Sequence, residues 1–320
     1  MIRTLLLASA ALLPAVAHAQ EAYPSRPVRV FVGFPAGTSA DIVARIFTAR
    51  LTDHFKRPFV VENRLGMAGN LATQAAFRSP ADGYTLAGTT VANTISASVY
   101  RTLGYQFADD FAHVARVAIA PNVLVVSPTL GVTSVKALIE LARAAPRGKM
   151  FFGSAGVGTA PHLSGELFNM MTGAQLTHVP YKGNAQGLID LSEGRISLVF
   201  APAPTLAAFT QDNRVRALAT TAARRPSFLP DLPTLGESGL PGFDTAIWYG
   251  FAAPRGTPAA IVSTLSEALV RATEAPEVRE QLRRAAADPY PLGGEDFTRF
   301  VRDDVAKWAK VVDFAQVRPE

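Results

Sequence analysis

The chain has 320 residues, 48% of them hydrophobic, with 31 Lys+Arg against 26 Asp+Glu and no cysteine. At roughly 150 residues per domain this is one large or two ordinary domains with ample apolar material for a core, which excludes a disordered chain. The lack of cysteine excludes disulfides, thiolate nucleophiles, Cys-ligated zinc and iron–sulfur clusters, so any covalent chemistry must come from oxygen or nitrogen nucleophiles.

Chain order begins with a leader. Met1-Ile2-Arg3 is a short basic start, residues 4–16 are rich in Leu and Ala, and Ala17-His18-Ala19 has the small-x-small form of a signal-peptidase site. The apolar run is shorter than the ~20 residues of a membrane span, contains Pro14 and is followed by polar Gln20-Glu21. Residues 1–19 therefore read as a signal peptide, and the mature protein as an exported, periplasmic one whose stability rests on its core rather than on bridges.

Beyond the leader, β-branched runs alternate with helical-period runs. Strands are expected at 28–32, 59–61 and 84–88, with helices from Asp41 to Leu51 and over 71–77 between them; this βαβαβ rhythm predicts a mainly parallel, doubly wound sheet. The rhythm restarts with strands at 122–127, 149–153 and 196–200 and helices at 134–144, 162–171 and 187–193, giving a second similar lobe. A strand at 216–221 follows, then a Pro/Gly-rich crossing linker over 229–243 and a last strand at 248–252. Thr257 and Pro258 read as the N-cap and first turn of a long helix, and helices over 277–286 and 295–314 close the chain, the tail packing back on the first lobe.

Two strand-to-helix loops are suited to chemistry. Gly33-Phe34-Pro35-Ala36-Gly37-Thr38-Ser39-Ala40-Asp41 presents free N–H groups at the positive end of a helix dipole, as a carboxylate or phosphate requires, and Gly37 reads as the point where the main chain comes close to the ligand. The alternative is an ordinary turn with Ser39 or Asp41 as N-cap. Gly153-Ser154-Ala155-Gly156-Val157-Gly158-Thr159-Ala160-Pro161-His162 offers glycines and hydroxyls in the same setting. Pro161 breaks any dinucleotide fingerprint there, and no Walker pattern occurs. Two such loops, one per lobe, can face each other across a cleft. Neither Ala36 to Asp41 nor Ser154 to Thr159 contains Arg or Lys, so recognition of an anion by these jaws would rest on N–H groups, hydroxyls and dipoles. Tyr181-Lys182-Gly183-Asn184 follows a strand and either lines the cleft or forms a plain turn, with Lys182 the one nearby cation.

Other chemistry is poorly supported. His54, His113, His162 and His178 show no helical metal-pair spacing, and Asp41 takes the final glycine position of a nucleophile elbow. His162 with Ser154 would be the base–nucleophile pair of a secreted hydrolase or transferase; the competing role for His162 is to hydrogen-bond its loop or a ligand. The basic residues are scattered, the arginine doublets being Arg224-Arg225 and Arg283-Arg284, which is not a nucleic-acid footprint.

Taken in order, certain segments resemble a known family. They are Gly33-Phe34-Pro35-Ala36-Gly37 with Asp41-Ile42-Val43-Ala44-Arg45, Val61-Glu62-Asn63-Arg64, Pro80-Ala81-Asp82-Gly83-Tyr84, Gly156-Val157-Gly158-Thr159, Val179-Pro180-Tyr181-Lys182-Gly183, Leu229-Pro230-Asp231-Leu232-Pro233-Thr234 and Trp248-Tyr249-Gly250. The family is the solute-binding receptors of tripartite tricarboxylate transporters, the Bug or TctC-like proteins. The resemblance implies a two-lobed, type II periplasmic-binding-protein α/β fold, each lobe a doubly wound, mainly parallel sheet. Residues 20–122 with 247–320 would form lobe 1 and residues 123–246 lobe 2. It implies a small carboxylate ligand (amino acid, di- or tricarboxylate, or aromatic acid) and delivery to a tripartite-type membrane permease or to a membrane sensor. No cofactor, metal or nucleic acid is expected, and the chain would act as a monomer rather than as an enzyme. Carried over, the ligand site comprises Ala36, Gly37, Thr38, Ser39 and Asp41, then Thr89 and Thr90, then Ser154, Ala155, Gly156, Thr159 and His162, with Tyr181, Gly183 and Asn184 nearby. Two departures stand out: Ala36-Gly37 replaces paired glycines, and Leu65-Gly66-Met67-Ala68-Gly69 replaces a Pro-Gly-Ala-Gly-Gly run.

Overall fold

The computed structural model describes residues 23–317 apart from 101, 182, 204, 205 and 207–213; the expected leader and Lys182 lie outside the described residues. Six strands, β1 (Val28–Val32), β2 (Phe59–Asn63), β3 (Thr85–Thr90), β4 (Phe111–Ala120), β10 (Ile247–Pro254) and β11 (Asp288–Gly293), form a sheet in the order β11-β4-β10-β3-β1-β2. A second sheet, in the order β7-β6-β8-β5-β9, contains β5 (Asn122–Val126), β6 (Phe151–Ser154), β7 (Thr177–Pro180), β8 (Leu198–Pro202) and β9 (Arg216–Thr220). The helices are α1 (Ser39–Phe55), α2 (Asn70–Phe77), α3 (Val91–Val99), α4 (Val135–Ala144), α5 (Ala160–Thr172), α6 (Asn184–Ser192), α7 (Ala259–Ala272), α8 (Pro276–Arg284) and α9 (Gly294–Ala315).

The two α/β lobes are as expected, but their sheets are mixed rather than mainly parallel. Pairs β1–β2, β1–β3, β6–β7 and β6–β8 are parallel, each joined through a crossover connection. The strands at the lobe boundary are the antiparallel ones. β4 runs out of the first sheet through Pro121 into β5, and β10 re-enters beside it in the opposite sense, pairing antiparallel with both β3 and β4. β5 likewise pairs antiparallel with β8 and β9. The outgoing and returning chains are tied together: Thr221 N–H donates to Asn122 O at 2.9 Å and Thr245 N–H to Thr221 O at 3.0 Å.

Three elements were not expected. β4 reads FAHVARVAIA, where His113 and Arg116 interrupt any clean pattern; both are buried, Arg116 with its guanidinium 4.2 Å from the Tyr290 ring centroid and 4.4 Å from that of Phe300. α3 reads VANTISASV, a run of β-branched and hydroxyl side chains with weak helix propensity. Its helix is secured by a capping box between Thr90 and Asn93 and by packing on α9. β11 contains Pro289 and Pro291 and is an edge strand with a broken register against β4, the position in a sheet that tolerates proline. A smaller correction concerns α7. Its N-cap is Pro258 rather than Thr257, whose hydroxyl donates to Pro254 O at 2.8 Å. α9 packs on α3 and β4 as expected of the tail, and it also reaches α5 of the second lobe. One apolar cluster accordingly runs through both lobes, joining Phe31 and Trp248 to Leu124, Phe152 and Trp308.

Candidate functional site

The first jaw begins where β1 ends. Gly33 lies so close to Gly69 that a Cβ at Gly33 would run into the Gly69 backbone, so this glycine is where the jaw loop packs against its neighbouring chain. Gly37 has φ of +82° with open space around its Cβ position; it is required for a left-handed turn. Thr38 is the N-cap of α1 by backbone position, its hydroxyl donating to Pro35 O at 2.7 Å rather than into the helix. Asp41 is buried in the first turn and faces back under the loop. It accepts from Gly37 N–H at 2.9 Å, from Arg45 Nε at 3.0 Å and from Asn63 Nδ2 at 2.8 Å. Burial raises the Asp41 pKa, but the hydrogen bonds from Arg45, Asn63 and Gly37 outweigh it and hold the carboxyl below its ordinary range.

The second jaw is held from beneath by two histidines. Ser154 Oγ lies 2.7 Å from His178 Nε2 and donates to Gly156 O, while Gly158 N–H donates to His162 Nδ1 at 3.0 Å. The imidazoles of His162 and His178 stack with centroids 3.9 Å apart. Burial, then the neighbouring His162, lowers the His178 pKa to about 3, so His178 is neutral at physiological pH. Ser154 and His162 are both buried. The Ser154–His162 pair that a hydrolase would use is not formed, because Ser154 bonds His178 instead.

Between the jaws is a cavity of about 890 Å³. Three helix N-termini converge on it: Thr38, Ser39 and Ala40 from α1, Thr90, Val91 and Ala92 from α3, and Thr159, Ala160 and Pro161 from α5. Each presents about half a positive charge; at α3 the Ala92 N–H is taken by Thr90 Oγ1, and at α5 Pro161 has no N–H to offer. Its walls are apolar, with Ile95 and Val99 continuing the α3 stripe to Tyr100, and Ala120, Pro121, Pro202 and Ile247 at the lobe boundary. No described lining residue is charged. Tyr249 also lines the cavity, and burial pushes its phenol pKa up against a hydrogen bond with Ser39.

Of the residues expected at the ligand, Thr38, Ser39, Thr90, Ala155 and Thr159 line the cavity. Ala36, Gly37, Asp41, Ser154, Gly156 and His162 shape the jaws from behind. Thr89 is buried beside a void of about 10 Å³, the volume of one water, with no partner for its Oγ1 among the described residues. Tyr181 turns away, its hydroxyl donating to Asp190 at 2.8 Å with the phenol pushed up to about 12 by burial and that carboxylate. Gly183 is the N-cap of α6 and Asn184 its first residue. The stripe on α3 was missed, although Val91, Ile95 and Val99 recur at helical spacing and offered a signal.

A two-lobed α/β fold with a dipole-lined cavity between the lobes, uncharged among its described lining residues, is the architecture of a solute-binding protein. Residues 43–316 match the family described as the tripartite tricarboxylate transporter family receptor, TctC, and the chain belongs to that family. It is 33% identical to protein BugT of Bordetella pertussis over 91% of this chain and 90% of that one. Among solved structures it is similar to an R. palustris protein with adipate (40% identity, TM-score 0.75, 93% and 100% of the two chains). It is also similar to MatC from Rhodopseudomonas palustris with bound malate (28% identity, TM-score 0.70, 91% and 100%).

Proposed function

We propose that this receptor captures a carboxylate with a hydrocarbon body and delivers it to a tripartite-type membrane permease. The observation that carries the reading is the convergence of three helix N-termini on a cavity whose described lining is otherwise uncharged and apolar. The carboxylate would sit at the dipole ends, met by main-chain N–H groups and the hydroxyls of Ser39 and Thr90, while the Thr38 and Thr159 hydroxyls hold their own loops by donating to Pro35 O and Gly156 O. The body would lie along Val91, Ile95 and Val99. The adipate-bound relative supports this choice, since adipate combines carboxylate groups with an unsubstituted hydrocarbon chain, whereas malate in the other relative supports only the wider carboxylate class. We take the lobes as 20–122 with 247–320 and 123–246, closing about the boundary strands, and the protein as a periplasmic monomer released after Ala19. The family match and the periplasmic relatives support that location; intact mass of periplasmic material is its check.

Calorimetry with adipate, an aromatic monocarboxylate, malate and citrate tests the ligand reading. The first two should bind without turnover and more tightly than the hydroxylated acids, and Ile95→Asp should weaken adipate at least about tenfold, ~1.4 kcal/mol. Tight binding of citrate or malate with none of adipate would overturn it.

A further inference from the structure

The fold brings the doublet Arg224-Arg225 beside Arg279 and Arg283, which are far from it in sequence. A cavity of about 590 Å³ is lined by Arg224 and Arg225, which follow β9, and by Arg279 and Arg283 on α8, which packs against α1 and β11. The acidic residues beside them are already engaged. Glu280 accepts from Arg283 and Arg284, each at 2.9 Å, and Asp288 accepts the Ser227 N–H at 2.7 Å and also its hydroxyl. Arg225 pairs with Glu237 at 2.9 Å.

Arg224 and Arg279 differ from the other two. Neither has a carboxylate partner among the described residues, and each is oriented by a backbone carbonyl. Arg224 Nη2 donates to Pro289 O at 2.9 Å with its guanidinium 4.2 Å from the Tyr290 ring centroid, and Arg279 Nε donates to Thr273 O at 3.2 Å. A guanidinium held by one N–H keeps the rest for an external carboxylate.

We propose that this cavity docks an acidic segment of the membrane partner, with Arg224 and Arg279 each taking a carboxylate, and that it senses lobe closure. The proposal rests on the delivery reading above. A peptide fits better than a compact polyanion because Glu280 and Asp288 stand among the arginines; carboxylates spaced along a chain reach the two guanidiniums separately, while concentrated charge meets repulsion. The sensing follows from topology. The jaw loops follow β1 and β6, the arginines sit by β9 and β11, and the boundary strands β4, β5 and β10 lie between them in the two sheets. Arg224 follows β9 while Arg279 stands on α8 against β11, so closure about those strands that shifts the Arg224–Pro289 and Ser227–Asp288 contacts changes the separation of the two guanidiniums, and ligand and partner affinities are coupled, reciprocally.

The probe is a fluorescein-labelled hexaglutamate peptide, followed by anisotropy at low salt on the mature chain with and without adipate. The double variant Arg224→Gln/Arg279→Gln should lose at least about tenfold in peptide affinity, while Arg147→Gln/Arg255→Gln, exposed and outside the cavity, should lose none. Adipate should shift wild-type peptide affinity, and Arg279→Gln alone should keep adipate binding. Equal losses in both double variants, or displacement of the peptide by equimolar pyrophosphate, would overturn docking in favour of diffuse charge or a small-anion site. Peptide binding indifferent to bound adipate would overturn the sensing. Adipate binding without peptide binding defeats this proposal alone; if no tested acid binds, the ligand reading falls and the peptide variants still decide docking.

Discussion

At the scale of single residues, backbone approach and buried charge set the first jaw. Gly33→Ala would drive a methyl group into the Gly69 backbone, which has no flexible end to yield, so the jaw must shift. Gly37→Ala meets no atom and bears only the cost of a left-handed φ, roughly 1 kcal/mol. Ligand calorimetry should therefore show the larger loss for Gly33→Ala; the reverse order would mean that the jaw absorbs the Gly33 methyl and that main-chain approach to the ligand at Gly37 matters more. Asp41 makes a parallel case. It does not line the cavity, yet Asp41→Ala removes the acceptor of Gly37 N–H and leaves Arg45 and Asn63 without a shared partner. We expect a stability loss of roughly 1–3 kcal/mol together with weaker ligand binding. Denaturant titration beside calorimetry checks both, and a variant normal in the two would remove Asp41 from the jaw's support.

At the scale of elements, the helix that walls the cavity is held by the helix that ends the chain. Asp304 of α9 is buried and accepts from Thr94 Oγ1 at 2.6 Å and from Trp248 Nε1 at 2.9 Å, and pairs with Lys307 at 2.6 Å. Those three contacts tie α3, β10 and α9 to one carboxylate. Asp304→Ala leaves a buried hydroxyl and an indole N–H without their acceptor and should cost roughly 3 kcal/mol. Because α3 carries Val91, Ile95 and Val99 into the cavity, affinity should fall as well. If thermal denaturation of the variant matches wild type, α3 is held by its apolar packing alone.

At the scale of the whole molecule, the buried imidazoles make stability depend on pH. Burial lowers the His113 pKa to about 4, and burial with the neighbouring His162 lowers that of His178 to about 3. Unfolded histidine titrates near 6.5. Between those values the unfolded chain binds more protons than the folded one, so stability is full above about pH 6.5 and declines as pH falls toward 4. Asp244, whose carboxyl is pushed up by burial, acts in the opposite sense. The urea midpoint should therefore be lower at pH 5 than at pH 7.5, and His113→Phe should flatten part of that slope. Equal midpoints at the two pH values in the wild type would show that the histidines do not titrate as their burial requires.

Much of this protein is written locally. Hydrophobic period, Gly/Pro punctuation and the two loops opening α1 and α5 are short-range properties, and they sufficed for two α/β lobes and for jaws that include Thr38, Ser39, Ala155 and Thr159. Tertiary structure decided what depends on partners distant in the chain. β4 accommodates Arg116 because Tyr290 and Phe300 cover its guanidinium, α3 is helical because Thr90 and Asn93 cap it and α9 packs on it, and Gly33 matters because Gly69 crosses it. Strand direction at the lobe boundary belongs to the same group, since β10 pairs with β4 only after the chain has left one lobe, built the other and returned. Burial and pairing energies of that kind arise between residues that no local window holds together, and they determined both the wall of the cavity and the meeting of Arg224 and Arg225 with Arg279 and Arg283.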